Sequence, residues 1–467
     1  MATATSRTSV LSLPPELVCQ VAGNLSTSSD LKSLRSACSQ LSFALEPFLF
    51  SHITLDAKQT RVVEDLALNR TRAGRYVRSL DIGSLELGGQ DITKDGEAVL
   101  AFSQYWASAL RSLTSLTSVN WTVTEQDSSW ALEQVICNLS PLSTICNIRL
   151  YLRGVWTNPV IHPLRQICHF RSLESCSLRV DDNRLLLPIA EGLFDVNCAH
   201  LKRLELDGGF DAWTDSERCL TCDTDLSLLF ESGVAPQLDV LRLSQFSLRH
   251  SSHILAQLGS LKALHLDRCI PYDIWPVLSA ANIQLQEVTV DYVDRHLLDY
   301  LESYCGLERI RISFNGIQLG SSHSDSVAGR FWMKCLPRHD RTLKSIVIIP
   351  KSTGTWCLDS ENLAVLRKCV RIEEMTVGIN VDDVKVPGLH HDGEVGTEEG
   401  DVILQLLELV NCYRDLGTLT VVLKGQRLPW DPEACRIGME RFWVAITHHP
   451  EYATRFYNLQ AVTRMKL

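Results

Sequence analysis

The chain has 467 residues and a formal net charge of −10, with 45% hydrophobic and 21% charged residues. A chain this apolar can bury a large core, which excludes a disordered or collagen-like protein. The excess of acidic side chains argues against nucleic-acid binding, which relies on clustered bases that neutralise phosphates. Leucine is the most over-represented residue, with 70 copies, or 15% of the chain.

The amino terminus, residues 1–10, contains one basic residue and no apolar stretch. It lacks the parts of a secretory signal, and we expect it to be a short disordered lead. No apolar run approaches the roughly 18 residues of a membrane span. Cysteines lie singly in apolar patterns, as at Cys38, Cys137, Cys176 and Cys369, which favours reduced core thiols. We therefore expect a cytoplasmic or nuclear protein that does not contact membranes.

Residues 11–55 carry the pattern of three short helices. Apolar side chains recur at i, i+4 and i+8 from Leu17 to Leu25, just after two prolines. Residues 28–30 offer N-caps for a second helix, and Pro47 is expected to stop a third segment. So small a module cannot bury all its apolar side chains, and we expect a partner to cover some of them.

From residue 77 onward one phrase recurs: an apolar residue, two others, a second apolar residue, one other and a third apolar residue. Seven of the eleven successive spacings are 22–29 residues, within the range of leucine-rich repeats, in which each unit is a strand plus a helix or turn. The twelve instances span Val77–Ile82, Leu116–Trp121, Ile145–Leu150, Leu173–Leu178, Leu201–Leu206, Leu238–Leu243, Leu261–Leu266, Leu285–Val290, Leu307–Ile312, Leu343–Ile348, Ile372–Val377 and Leu416–Val421.

Stacked units of this kind predict an α/β solenoid over residues 56–428, with a concave parallel sheet and convex helices. The longer spacings should carry insertions, most visibly at Gly208–Asp225 and Gly316–Arg338. Residues 429–467 are rich in aromatic side chains and lack the phrase. We expect this last segment to be a helical cap over the open end of the solenoid.

Side chains between the apolar strand positions should face the concave surface, because successive strand residues point to opposite faces. We expect a protein substrate to bind there. The candidate contacts are Arg149, Tyr151, Arg179, Arg203, Glu205, Arg242 and His265. Two further interpretations remain open for the arginines: they could clamp a small anion, or they could pair with acidic neighbours along the sheet, which is the simpler hypothesis.

Residues 11–55 resemble the F-box, and the segment after the motif looks like that of many fungal F-box proteins. Ala37 and Ser39 depart from the usual residues. The rest resembles a divergent leucine-rich repeat domain, since only Cys269 and Asn315 fill the position that regular repeats give to Asn or Cys. The matching F-box positions are Leu13, Pro14, Glu16, Leu17, Val21, Leu25, Asp30, Leu31, Leu34, Cys38 and Leu41.

The resemblance implies the substrate-recognition subunit of an SCF-type E3 ubiquitin ligase. The F-box would dock on a Skp-family adaptor, and through it on cullin and RING subunits, while the repeats bind a target protein. Two alternatives share these features: a sensor of a small anionic ligand, and a scaffold that does not lead to degradation. The expected adaptor contacts are Leu13, Pro14, Leu17, Leu31, Leu34, Leu41 and Leu45, of which roughly half must instead form the core of so small a module.

We expect no catalytic residue, cofactor or metal site. The sequence has no glycine-rich phosphate loop, no His-Glu-x-x-His and no Gly-x-Ser-x-Gly. Its Cys-x-x-Cys, Cys219 to Cys222, lacks the second pair that a structural zinc site needs.

Overall fold

A computed structural model describes residues 14–25, 27–86, 103–127, 129–154, 163–164, 166–181, 185–186, 188–190, 200–208, 237–246, 258–269, 274–314, 321–350, 353–380, 402–424 and 460–461. These residues belong to two compact units. Unit 1 contains the described residues up to Gly208, and unit 2 contains those from Gln237 onward. The predicted lead at residues 1–10 and the pair Cys219 and Cys222 lie outside the described residues.

Unit 1 starts with three helices, α1 (Pro15–Gly23), α2 (Ser28–Ala37) and α3 (Ser39–Leu49). Its strands are β1 (His52–Leu55), β2 (Ser79–Ile82), β3 (Ser118–Thr124), β4 (Asn147–Arg153), β5 (Ser175–Val180) and β6 (Arg203–Gly208). Each strand pairs in parallel with the next. The intervening helices are α4 (Thr60–Ala67), α5 (residues 103–112) and α6 (Ser129–Leu139), with 3₁₀ turns at Ala73–Arg75 and Gln166–His169.

Unit 2 contains the parallel strands β7 (Val240–Ser244), β8 (Ala263–Asp267), β9 (Glu287–Val290), β10 (Arg309–Ser313), β11 (Ser345–Ile349), β12 (Glu374–Asn380), β13 (Thr418–Lys424) and β14 (Gln460–Ala461). Its helices are α7 (Ile274–Ala280), α8 (Arg295–Ser303), α9 (Ser321–Arg330), α10 (Ser360–Leu366) and α11 (Val402–Cys412). A π turn, Phe331–Cys335, and a 3₁₀ turn, Leu336–His339, follow α9.

The repeated apolar phrase coincides with strands β2 to β13. Its second and third residues align across neighbouring strands, as Leu80, Val119 and Ile148 do. Every residue of the phrase is buried except Leu416, which is half-buried. This alignment lets each unit bury a continuous apolar layer against its own helices, so the α/β fold with parallel leucine-rich repeats is confirmed.

The sheet begins one strand earlier than the first predicted instance of the phrase. Phe50, Ile53 and Leu55 have the same spacing, and β1 pairs with β2. The last residues of the segment 11–55 therefore belong to the sheet. At the other end β14 pairs with β13 inside the predicted cap 429–467, whose other residues lie outside the described part of the chain.

Several local predictions differ from the structure. The N-cap of α2 is Thr27, whose side chain accepts a hydrogen bond from the backbone N–H of Asp30, and not a residue of 28–30. Pro47 lies inside α3, which continues two residues further to Leu49 although the proline lacks an N–H donor. The predicted insertion Gly316–Arg338 holds helix α9, and Cys137 is exposed instead of buried.

Candidate interaction surfaces

The first three helices have a small core of their own. Val18 and Ala22 of α1 pack with Leu41 and Leu45 of α3, and all four are buried. The half-buried residues around them include Leu31, Leu34, Cys38 and Phe48. The expectation that Leu41 and Leu45 contact an adaptor is therefore corrected, since side chains enclosed in this core present almost no surface to a partner.

A different stripe of α1 is exposed to solvent. Leu17 and Val21, four residues apart, are 44% and 49% exposed, and Pro14 just before the helix is also exposed. Residues four apart lie one above the other on a helix, so these three residues form one apolar surface, which we name the docking patch. Exposed apolar side chains of this size, placed together, mark interaction sites more often than single ones do.

The predicted adaptor contacts differ in whether they lie on the docking patch. Pro14 and Leu17 lie on it, Leu31 and Leu34 are half-buried around the core, and Leu13 lies outside the described residues. Val21 was missed as a contact, although its i+4 relation to Leu17 is visible in the sequence. Phe43, 57% exposed on α3, was also missed as a contact. The sequence pattern does not separate it from Leu41 and Leu45, two positions before and after it, which are buried.

Strands β2 to β6 present a polar face, opposite to their buried apolar positions. In register across this face lie Asp81, Asn120, Arg149, Ser177 and Glu205. The Asn120 amide donates to Asp81 at 2.7 Å, and Asp81 also lies 3.0 Å from His52 Nε2. Unit 1 therefore carries a row of aligned polar side chains across five strands.

The next row of this face is held together by Tyr151. Its hydroxyl donates to the Asp181 carboxylate at 3.1 Å, and the guanidinium of Arg179 lies over its ring at 4.8 Å from the centroid. Arg179 Nε is in turn 3.6 Å from the Asp207 carboxylate. Burial and the bond to Asp181 raise the pKa of the Tyr151 phenol above its ordinary value. These contacts favour the simpler hypothesis for Arg179, that it pairs with an acid along the sheet.

The seven predicted substrate contacts are divided between the two units. Arg149, Tyr151, Arg179, Arg203 and Glu205 lie on the polar face of unit 1, and all are at least partly exposed. The two remaining candidates, Arg242 and His265, lie on β7 and β8 of unit 2.

His265 is a correction to the predicted surface contacts. It is only 8% exposed, its Nδ1 lies 2.8 Å from the Thr289 hydroxyl, and its Nε2 lies 3.6 Å from Glu287. These polar neighbours satisfy the ring within the sheet, so little of it is available to a substrate. Arg242 beside it is exposed.

Three aspartates that follow strands, two buried and one half-buried, join neighbouring turns, a role that the sequence predictions did not assign. Asp127 accepts from the backbone N–H of Leu85 at 2.6 Å, Asp181 from Gly154 at 3.1 Å, and Asp291 from Arg268 at 2.6 Å. Each bond joins the turn after one strand to the turn after the preceding strand. Burial raises the pKa of Asp127, and it raises that of Asp291 to about 6. The signal was an acidic residue close behind the apolar phrase.

Cys269 occupies the predicted repeat position and donates to the Leu243 carbonyl of the preceding strand at 3.3 Å, whereas Asn315 lies outside the described residues. Among the described residues, no group of three or more His, Cys, Asp or Glu side chains could hold a metal ion. In the same part of the chain, no helix is long and apolar enough to cross a membrane.

The chain was compared with protein families, curated proteins and solved structures. No protein-family model matches the chain, and no curated protein matches its sequence. Among solved structures, a chain from the crystal structure of the Rad7 and Elc1 complex in yeast is similar with a TM-score of 0.45 and 13% sequence identity. The similarity covers 87% of this chain and 88% of the other.

Proposed function

We propose that this protein is the substrate-recognition subunit of an SCF-type E3 ubiquitin ligase. Its first three helices would dock on a Skp-family adaptor that connects to cullin and RING subunits. The leucine-rich repeats would bind the target protein, and the chain itself would perform no catalysis. The observation that carries the proposal is the docking patch on α1, within a segment whose sequence resembles the F-box.

The position of the patch supports this division of labour. Leu17 and Val21 are exposed although Val18 and Ala22 beside them are buried, so α1 has one apolar stripe for its own core and a second one facing solvent. A helical or grooved partner would cover the second stripe. Interface energy usually concentrates in a few such apolar anchors.

The test is to measure the affinity of the full chain for a purified Skp-family adaptor after Leu17→Glu and Val21→Glu. Placing two charges in an apolar interface should weaken binding at least tenfold, because each tenfold corresponds to about 1.4 kcal/mol and an anchor residue contributes on that scale. The unfolding midpoint should stay within a few degrees of the unmodified chain, since both side chains are largely exposed.

The chain offers a closely matched control. Val62 and Leu68 lie in the same unit, on and just after α4, and each is 45% exposed. Val62→Glu with Leu68→Glu introduces the same residues and the same charge at equal exposure, and it should leave adaptor affinity unchanged. Equal affinity of the patch variant and the control variant for the adaptor would refute docking through α1.

A second measurement separates a ligase subunit from a scaffold. Partner proteins are identified by proximity labelling in cells that carry either the unmodified chain or the patch variant. A target of the ligase should rise in abundance when adaptor docking is lost, because its ubiquitination stops. If adaptor docking is lost and no labelled partner rises, the degradative role is wrong.

A further inference from the structure

We propose that Arg149 on the polar face of unit 1 is the anchor for an extended segment of a target protein that carries an Asp or Glu carboxylate. The inference deepens the proposed function by naming the chemical class of target segment. The inference rests on the proposed function in one respect, namely that the bound segment belongs to a target protein. The binding site consists of Arg149 and the hydroxyl groups around it.

Arg149 projects from a rigid position in the sheet. Its neighbours along β4, Ile148 and Leu150, are 4% and 2% exposed, whereas Arg149 itself is exposed. The strand is hydrogen-bonded to β3 on one side and to β5 on the other. A guanidinium carried by a central strand is pre-positioned, so less ordering entropy is lost when it binds a ligand.

The residues directly across from Arg149 on the adjacent strands are polar but uncharged. Its register neighbours are Asn120 on β3 and Ser177 on β5, and Ser118 and Ser175 lie one row away. Among the described residues, the three serine hydroxyls and the Arg149 guanidinium have no hydrogen-bond or ion-pair partner. Small hydroxyl side chains also leave space for the backbone of a bound segment to approach the sheet.

The charge balance selects a ligand with a single negative charge. Arg179 lies beside Asp207, and Arg203 lies two residues before Glu205 on the same face of β6. Exposed Arg153, on the same face of β4 as Arg149, lies level with Asp181, because Leu152 and Val180 just before them are register partners. These acids offset the three neighbouring arginines, which leaves the positive charge of Arg149 without a described counter-ion. One carboxylate matches one guanidinium in charge and in its two-oxygen geometry. A phosphate monoester, with a charge of about −2 at pH 7, would meet repulsion from Asp207 and Glu205.

The test selects peptides from a random 12-residue display library on the purified full chain. We expect the enriched peptides to share an Asp or Glu that pairs with Arg149. A selected peptide should bind at least tenfold more weakly to the Arg149→Gln variant. It should bind unchanged to Arg111→Gln, which removes an exposed arginine from α5 of the same unit.

A double-mutant cycle then identifies the contact. Replacing the shared acid of the peptide by its amide should cost at least tenfold with the unmodified chain and almost nothing with Arg149→Gln, because the same interaction is removed twice. Equal losses with both proteins would overturn the assignment. Binding at least tenfold tighter after replacing the acid by phosphoserine would overturn the choice of a carboxylate.

The outcome is independent of adaptor docking, since the selection contains no adaptor. Arg149→Gln should keep the adaptor affinity of the unmodified chain. If its adaptor affinity is intact and its peptide binding is also unchanged, the inference fails while the proposed function stands. If the adaptor does not bind at all but the peptide cycle holds, the proposed function fails and the carboxylate site remains.

Discussion

The carboxylate of Asp291 accepts a 2.6 Å hydrogen bond from the backbone N–H of Arg268, which lies 23 residues earlier in the chain. The bond connects the turn after β9 to the turn after β8. Burial, assisted by the negative charge of Asp267, raises the pKa of Asp291 to about 6 from an ordinary value of 3.8. The same carboxylate therefore organises the turns and resists ionisation.

We predict that Asp291→Asn stabilises the protein at pH 8 and has little effect at pH 4. The folded state holds the Asp291 proton more tightly than the unfolded state, so its favourable contribution is complete below pH 4 and is lost as the pH rises through 6. The shift corresponds to a cost of about 3 kcal/mol for the ionised form. Asparagine keeps an oxygen acceptor for Arg268 and carries no charge.

Urea unfolding midpoints of the full chain at pH 4 and pH 8 check this prediction. Asp415→Asn is the control, because Asp415 is an exposed acid in a turn of the same unit. A gain in stability that is equal at both pH values would show that the charge of Asp291 is not its cause.

The opposite pH dependence is expected from His339. This imidazole is 1% exposed, its Nε2 lies 3.1 Å from the Leu301 carbonyl, and its Nδ1 lies 3.3 Å from the N–H groups of Gly306 and Leu307. Only the neutral ring with its proton on Nε2 can make all three bonds. Burial lowers the pKa of His339 to about 4 from 6.5.

We predict that His339→Gln costs about 1–3 kcal/mol at pH 7 and that the cost shrinks towards pH 4. The unfolded state takes up the proton first, so the contribution of the neutral ring is complete above pH 6.5 and is lost as the pH falls through 4. Urea midpoints across this range measure it, with half-buried His296→Gln of α8 as the control. Unfolding curves of variant and unmodified chain that stay equally far apart at every pH would contradict the prediction.

The repeats could be predicted because strand and core share one pattern. A residue such as Leu264 must point inward once the phrase is in register, whatever surrounds it. The buried face of helix α1 could not be predicted in the same way. Leu17 and Val21 form one stripe and Val18 and Ala22 another, and only packing against α3 decides which stripe is buried. The burial of polar strand residues could not be predicted either, since the burial of His265 and Asp291 depends on neighbours from other repeats.

The close approach of two segments at Gly378 gives the last prediction. Gly378 lies on β12, and a Cβ atom there would overlap the ring of Pro350 and would lie 3.5 Å from Cys357 Sγ. The chain after β11 returns to this strand, where the Leu358 N–H donates to the Gly378 carbonyl at 2.7 Å. The absence of a side chain is what lets the two segments meet.

We therefore expect Gly378→Ala to destabilise the chain by about 1–3 kcal/mol, because either Pro350 or the strand must move. Gly417→Ala is the matched control, since the nearest atom to its Cβ would be the Glu373 carbonyl oxygen at 3.8 Å. Removing backbone freedom without a clash should leave the control equally stable or slightly more stable. Urea midpoints give the comparison, and faster hydrogen exchange at Leu358 in Gly378→Ala would locate the damage. Equal midpoints for the two variants would show that Pro350 can move aside at no cost.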